Sequence, residues 1–403
     1  VGANHTDTEI KGERASQLVK EAADLYDKGN YDKALYKLSE AEEHAKSTED
    51  KIKIAGILSK GGFGLIEKRL FRTSYYDRSL EINRILNNKP GLVNNYSYIG
   101  KVYTEIGEYE KGIEYFEKAL KVQEELNDKS GISHNLNNMA NLCSYLGNYQ
   151  ESIRLLNRAL KISEEIKDPF QTAKTLINLG TINFRLRNYQ TSIEYLDRAD
   201  STKEENLKAY ALNLIGVVNR SQGNYERALD NYKRALKINK KLGLKPEIAM
   251  NLSIIGELYK ELGRYDEALK YLKQSLDISE SLNDRLITAA NLNYIGEVRY
   301  KQGNYGEALR LYNSSLAISQ KLGFKDGIAR SLNNIGYLKG DMKEWDSAIE
   351  DLDKAISIYK DLGDREWIRV SLFGRGLYSE KKGDLASAEK SYKEAVDVFE
   401  SIG

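Results

Sequence analysis

An all-α solenoid of about ten stacked helical hairpins is the fold that this 403-residue sequence predicts. Three observations carry the prediction. Apolar residues recur at spacings of three and four, which is helical periodicity. A glycine or asparagine repeatedly interrupts that periodicity between two apolar runs, as a left-handed helix terminator does. The pair of runs then returns along the chain at a nearly fixed interval, the mark of an array in which each unit covers the apolar face of the last.

The stretch from Asn291 to Ile318 contains one whole unit. Leu292, Ile295 and Val298 define the stripe of a first helix, Gly303 breaks it, and Ala308, Leu309, Tyr312 and Leu316 define a second. Taking Gly296 as a marker, the equivalent residues are Gly100, Ala140, Gly180, Gly216, Gly256, Gly296, Gly336 and Gly376. They lie 40 residues apart, except for the 36 between Gly180 and Gly216. Nine positions past the marker stand aromatic residues in most units (Tyr109, Tyr149, Tyr189, Tyr225, Tyr265, Tyr305, Trp345), and nineteen past it small ones such as Ala119, Ala159 and Ala235.

Composition narrows the function classes. Lys plus Arg number 61 against 60 Asp plus Glu, so neither nucleic acid nor an anionic membrane is expected as the main partner, both requiring a basic excess. No run approaches the roughly 18 apolar residues of a membrane span, so no membrane insertion is expected. The single cysteine, Cys143, lies on an apolar stripe and reads as core. Three prolines suit nearly continuous helix.

In chain order, residues 1–12 read as a frayed segment and 13–403 as a single solenoid. The first hairpin pairs a helix near Glu13 to Asp27 with one from Tyr31 to about Ala45. The second, about Asp50 to Leu86, is degenerate: Gly61, Gly62 and Gly64 fall inside its first helix, and Arg69 stands at the junction. Its Gly-Gly-Phe-Gly run lacks the Lys-Ser/Thr of a phosphate loop. Asn127, Gly243, Asn283, Gly323 and Gly363 are expected helix terminators, with Asp128, Asp168, Asp284 and Asp364 capping the helices that follow. The fifth unit is about one turn short near Asp200. The last helix, Leu385 to Ile402, still presents Tyr392, Val396, Phe399 and Ile402, with no polar cap after it. Either the chain is part of a longer protein or this end packs on another chain or domain. Val1 in place of Met reads as a trimmed or processed start.

The marker glycine, the small residue twelve on (Ala228, Ala268, Ala308, Ala348, Ala388), the bulky one sixteen on (Phe116, Tyr232, Tyr312, Tyr392) and the small one nineteen on resemble the tetratricopeptide repeat. The longer unit is similar to those of Pins/LGN-type adaptors, kinesin light chains and bacterial regulators. The resemblance implies a right-handed superhelix whose first helices line a concave groove for a peptide or protein segment.

Helix geometry selects the candidate groove. Offsets −8, −4, −1 and +2 from the marker are apolar and pack, whereas −6, −2, +1 and +5 form a second stripe with −3 beside it. Asn137, Asn213, Asn293 and Asn333 stand at −3, Asn138, Asn178, Asn334, Tyr98 and Tyr294 at −2, and Asn94 and Arg330 at −6. Asparagine is a poor helix former, so its recurrence inside helices needs a reason, and its paired donor and acceptor suit an extended peptide backbone. In the Pins/LGN type, asparagine at −2 and arginine at −6 hold the ligand, and Asn138, Asn178, Asn334 and Arg330 match those places. The basic ladder at −6 is incomplete, with His134, Lys174, Tyr210 and Met250 among the other occupants.

No catalytic residue, metal ligand or cofactor is expected: the three histidines are scattered and no nucleophile elbow or phosphate loop occurs. The expected role is a non-enzymatic scaffold for a peptide or protein segment, the alternative being the sensory segment of a larger signalling or transcription-regulating protein. The compartment stays open, the cytoplasm being favoured.

Overall fold

The computed structural model describes residues 3–45, 47–67 and 74–400, with side chains placed for 13–30, 32–45, 47–58 and 76–400. Every regular element among the described residues is an α-helix. The chain divides into two compact units, 1–207 and 208–403, each a stack of helical hairpins.

The first unit contains α1 (Ala3–Asp27), α2 (Tyr31–His44), α3 (Thr48–Glu67), α4 (Ser74–Ile85), α5 (Lys89–Glu105), α6 (Tyr109–Glu125), α7 (Lys129–Tyr145), α8 (Tyr149–Glu165), α9 (Pro169–Arg185) and α10 (Tyr189–Asp200). α1 starts ten residues ahead of the Glu13 expected from periodicity. α3 carries its three glycines in continuous helix; Arg69 lies outside the described residues. α10 has 12 residues where α8 has 17, which is the shortened fifth unit.

The second unit contains α11 (Glu205–Ser221), whose first turn holds the boundary, then α12 (Tyr225–Leu242), α13 (Lys245–Glu261), α14 (Tyr265–Ser281), α15 (Arg285–Lys301), α16 (Tyr305–Leu322), α17 (Lys325–Asp341), α18 (Trp345–Leu362), α19 (Arg365–Lys382) and α20 (Leu385–Glu400). Within each unit hairpins form between an odd-numbered helix and its even-numbered partner, as α7 with α8 and α15 with α16, and several odd-numbered helices also pack on the next, as α7 on α9 and α15 on α17.

The marker glycine sets the closeness of each hairpin. A Cβ on Gly180 would stand 2.6 Å from Leu196 Cγ, and one on Gly296 2.6 Å from the Tyr312 ring, so the residue sixteen later lies directly on the first helix's backbone. Phe116, Tyr232 and Tyr312, all at that offset, are among the largest fully buried side chains. The junction aromatics Tyr109, Tyr149 and Tyr305 are only half-buried, so the deepest aromatic packing sits at offset 16 and not at the junction.

Helix ends follow local chemistry. Gly243, Gly323 and Gly363 have φ of 69°, 64° and 70°, and Asn127 and Asn283 adopt 54°. Arg187 and Lys343 take the same left-handed conformation without a glycine's freedom. Asp128, Asp168, Asp284 and Asp364 each accept the backbone N–H three residues on, at 3.0–3.1 Å. Cys143 is buried. At the far end α20 leaves Leu385, Val396 and Phe399 more than half exposed. No helix among the described residues is long and apolar enough to cross a membrane.

Candidate functional site

The first helices meet along a polar seam, and the seam corrects the expected role of the −3 asparagines. Asn137, Asn293 and Asn333 are at most 2% exposed. Their amides bind the next first helix two places before the equivalent position. Asn137 Nδ2 donates to Thr175 Oγ1 at 2.8 Å, Asn293 Nδ2 to Ser331 Oγ at 2.9 Å, and Asn333 Oδ1 accepts from Ser371 Oγ at 2.8 Å. Asn213, half-buried, accepts from Asn251 Nδ2 at 2.6 Å. All four pairs are 38 residues apart, joining −3 of one hairpin to −5 of the next. These asparagines are ties between repeats, because a buried amide must find partners and the facing hydroxyl or amide is within reach. The recurrence of Asn, Thr or Ser at −5 (Thr175, Asn251, Ser331, Ser371) was the signal in the sequence that went unused.

The −2 residues lie at the seam's solvent edge. Asn178 Nδ2 donates back to Asn137 Oδ1 at 3.1 Å, and Asn334 Nδ2 to Asn293 Oδ1 at 3.4 Å and to Glu297 Oε1 at 3.2 Å. Both remain partly exposed. Asn138, also partly exposed, has an Nδ2 with no hydrogen-bond partner.

In the second unit the stripe is charged and internally paired. Arg220 donates to both carboxylate oxygens of Glu257 at 3.0 and 3.2 Å and from Nε to Glu261 at 3.0 Å. Burial pushes the Glu257 carboxyl up, but the hydrogen bond and charge of Arg220, together with the charges of Lys260 and Arg330, hold the group below the ordinary range. Lys260 pairs with Glu297, and its ammonium stands 5.0 Å from the Tyr294 ring centroid. The Arg330 guanidinium lies between Tyr294 and Trp367, at 6.0 and 5.5 Å from their ring centroids. Burial raises the Tyr294 hydroxyl well above its usual pKa, and it accepts from Arg330 Nη1 at 3.4 Å. Beside them a cavity of about 430 Å³ is lined by Lys260, Glu297, Tyr300, Lys301, Asn334 and Tyr337, among others. Thus Tyr294, Arg330 and Asn334 fall together, while Asn293 and Asn333 lie beneath them. Glu257 and Glu297, at +1 in the polar stripe, and Lys260, at +4, were not among the residues singled out from the sequence.

In the first unit Asn94 is exposed and Tyr98 half-buried, with Lys101 Nζ 5.7 Å from the Tyr98 ring centroid. Lys101, Thr104, Asn138, Asn141 and Tyr145 line a cavity of about 150 Å³. His134 Nδ1 is 3.5 Å from Gln171 Nε2. Burial and the charges of Lys174 and Lys101 push the His134 imidazole down to about 4, and burial and Lys101 push the Lys174 ammonium down. No cluster of His, Cys, Asp or Glu among the described residues could hold a metal.

The tetratricopeptide repeat family model matches residues 131–199, 207–281, 247–321 and 327–401, and a second model with the same description matches 95–126. Among solved structures, the chain is similar to a signal-transduction ATPase with a tetratricopeptide repeat sensor from Pyrococcus horikoshii. That match has 14% identity and a TM-score of 0.63, and covers 97% of this chain and 64% of that one. It is also similar to the apo quorum sensor NprR from B. thuringiensis (16% identity, TM-score 0.55, 96% and 99% covered). A Rap protein complexed with competence and sporulation factor matches at 14% identity and TM-score 0.53, with 88% and 99% covered. Comparison with curated proteins gave no match.

Proposed function

Because the chain belongs to the tetratricopeptide repeat family, we propose that it is a non-enzymatic interaction module that holds a peptide or protein segment along the −6, −2 and +1 stripe of its first helices. The observation that carries this reading is the edge of the polar seam. Once the −3 amides are taken into packing, Asn138, Asn178, Asn334, Tyr98, Tyr294, Arg330 and Asn94 remain reachable from solvent. They sit on rigid helices, so a ligand meets donors, acceptors and aromatic faces already held in place, and many modest contacts can add up without a deep pocket. A regulatory reading is favoured by the fold neighbours, one a quorum sensor and one carrying its repeats as a sensor. In that version the segment held is a signal, and the chain passes its binding on to a larger system.

Selection of a random peptide-display library against the full chain tests the proposal. Selected peptides should bind in solution, and Arg330→Ala with Asn334→Ala should weaken those that dock on the second unit at least tenfold. A library that yields no specific binder, together with indifference to substitutions at Tyr98, Asn138, Tyr294, Arg330 and Asn334, would overturn it.

A further inference from the structure

Positions buried on α18 lie open on α20. At +12, +16, +20 and +23 from the marker, Ala348, Leu352, Ile356 and Tyr359 of α18 are at most 3% exposed, with α19 packed on that helix. The equivalent Val396 and Phe399 of α20 are 54% and 63% exposed, and Leu385, at the junction, is 68% exposed. Phe373 of α19 extends the patch: it is 54% exposed, and its ring centroid lies 5.7 Å from that of Tyr392. It occupies offset −3, where the other marked hairpins carry Asn, Ser or Ile. An aromatic thus stands in the place of the tie amide, and the face is made for apolar contact.

The apolar stripe of α20 is a palindrome. Leu385 and Phe399 lie seven residues to either side of Tyr392, and Ala388 and Val396 lie four. An antiparallel copy turned about an axis at Tyr392 therefore sets its Phe399 against Leu385 and its Val396 against Ala388. Leu385, Ala388, Tyr392 and Val396, among others, line a cavity of about 460 Å³ that receives this bulk. Charge obeys the same axis. Glu389 and Lys393, exposed on one flank, come level with Ala395 and Ser391 of the turned copy. Glu389 then stands about 3 Å along the helix axis from the partner's Lys393 and about 9 Å from the partner's Glu389, so two crossed pairs form. Head-to-tail stacking is disfavoured, because among the placed side chains of α1 the exposed ones, such as Glu13, Arg14, Gln17, Lys20 and Asp24, are polar. A two-fold contact needs only one surface, matched to itself.

We propose that the α19–α20 face is a homodimer surface, in which two copies of this chain pack α20 on α20, antiparallel, about a two-fold axis at Tyr392. The inference stands apart from the peptide-binding reading and does not depend on it.

Sedimentation equilibrium of the full chain over a wide concentration range tests it. The mass should rise from that of one chain to that of two and stop there. Val396→Asp with Phe399→Asp should hold the chain monomeric, and because both side chains are exposed, its melting temperature in dilute solution should match that of dissociated wild type. Glu389→Lys and Lys393→Glu should each raise the dimer dissociation constant about tenfold, since the axis counts every substitution twice. The two together restore the crossed pairs and should bring the constant back to within about twofold of wild type. A chain that stays monomeric at every concentration leaves this face to a different protein and would overturn the proposal. So would a mass that grows without limit, which marks head-to-tail assembly, or association indifferent to the Asp variant. A charge swap that restores nothing would overturn the antiparallel pairing.

Discussion

Asn293 Nδ2 donates to Ser331 Oγ at 2.9 Å across two consecutive first helices, and to Ser315 Oγ at 3.0 Å within its own hairpin, with all three residues at most 2% exposed. One amide thus fastens a hairpin internally and to its successor. Asn293→Ala leaves two hydroxyls short of a donor and Asn334 short of an acceptor, so a loss of about 1–3 kcal/mol is expected. Asn94→Ala, on the exposed face, should change stability by about 0.5 kcal/mol or less. Urea unfolding of both variants against wild type checks the contrast.

Gly180→Ala and Gly306→Ala make the same chemical change with opposite expected signs. The added methyl at 180 meets Leu196 at 2.6 Å and the Ser192 carbonyl oxygen at 3.2 Å, and should destabilise by about 1–3 kcal/mol through overpacking. At 306 nothing lies within 4 Å, and the substitution should stabilise by up to about 1 kcal/mol, because alanine is the better helix former. Thermal melting of the pair is the measurement.

His134 should make the protein acid-sensitive. Its folded value, about 4, lies below its ordinary 6.5 through burial and the charges of Lys174 and Lys101. Above pH 6.5 neither state is protonated and the residue contributes no pH dependence. Between about 6.5 and 4 the unfolded chain binds a proton that the folded chain refuses, so stability falls as pH falls. Allowing for solvent screening, the loss is about 1–2 kcal/mol. His134→Gln should flatten the melting-temperature profile by that amount in this window, leaving the profile above pH 7 unchanged.

Glu257→Gln should cost about 1–3 kcal/mol, because it leaves the partly buried Arg220 with only Glu261 as a counter-charge. Glu151→Gln, in an exposed pair with Arg154, should cost about 0.5 kcal/mol or less. The first loss should survive high salt better than the second.

The hairpins, their caps and the recurrence of the marker glycine were legible in the sequence, because each is a local requirement that leaves a residue type at a fixed offset; the close approach that explains the glycine emerged only from the packing. Asp284 caps because it precedes a helix, and Gly296 is small because Tyr312 lies on it. The role of Asn137, Asn293 and Asn333 was not legible from the stripe alone. Offset −3 is the border between the packing and polar faces, and which side it joins depends on a partner 38 residues away. The ion pairs of Arg220 and Lys260 escaped for a related reason: charge alternates everywhere on these helices, and only the stacking decides which cations meet a carboxylate. Arg187 and Lys343 show the limit of glycine as punctuation, since the turn forces a left-handed residue whichever side chain is present.

The 38-residue tie also governs where the chain tolerates shortening. Ser371 donates to Asn333, Tyr337 donates to the Val370 carbonyl oxygen at 2.7 Å, and Tyr378 reaches back to the Tyr337 carbonyl oxygen at 3.0 Å. Trimming away α19 and α20 would not expose a finished surface. It would uncover a hairpin shaped to receive another, with a water-seeking amide ringed by oily side chains, and a shorter derivative would stay monodisperse only if those positions were rewritten as a terminus.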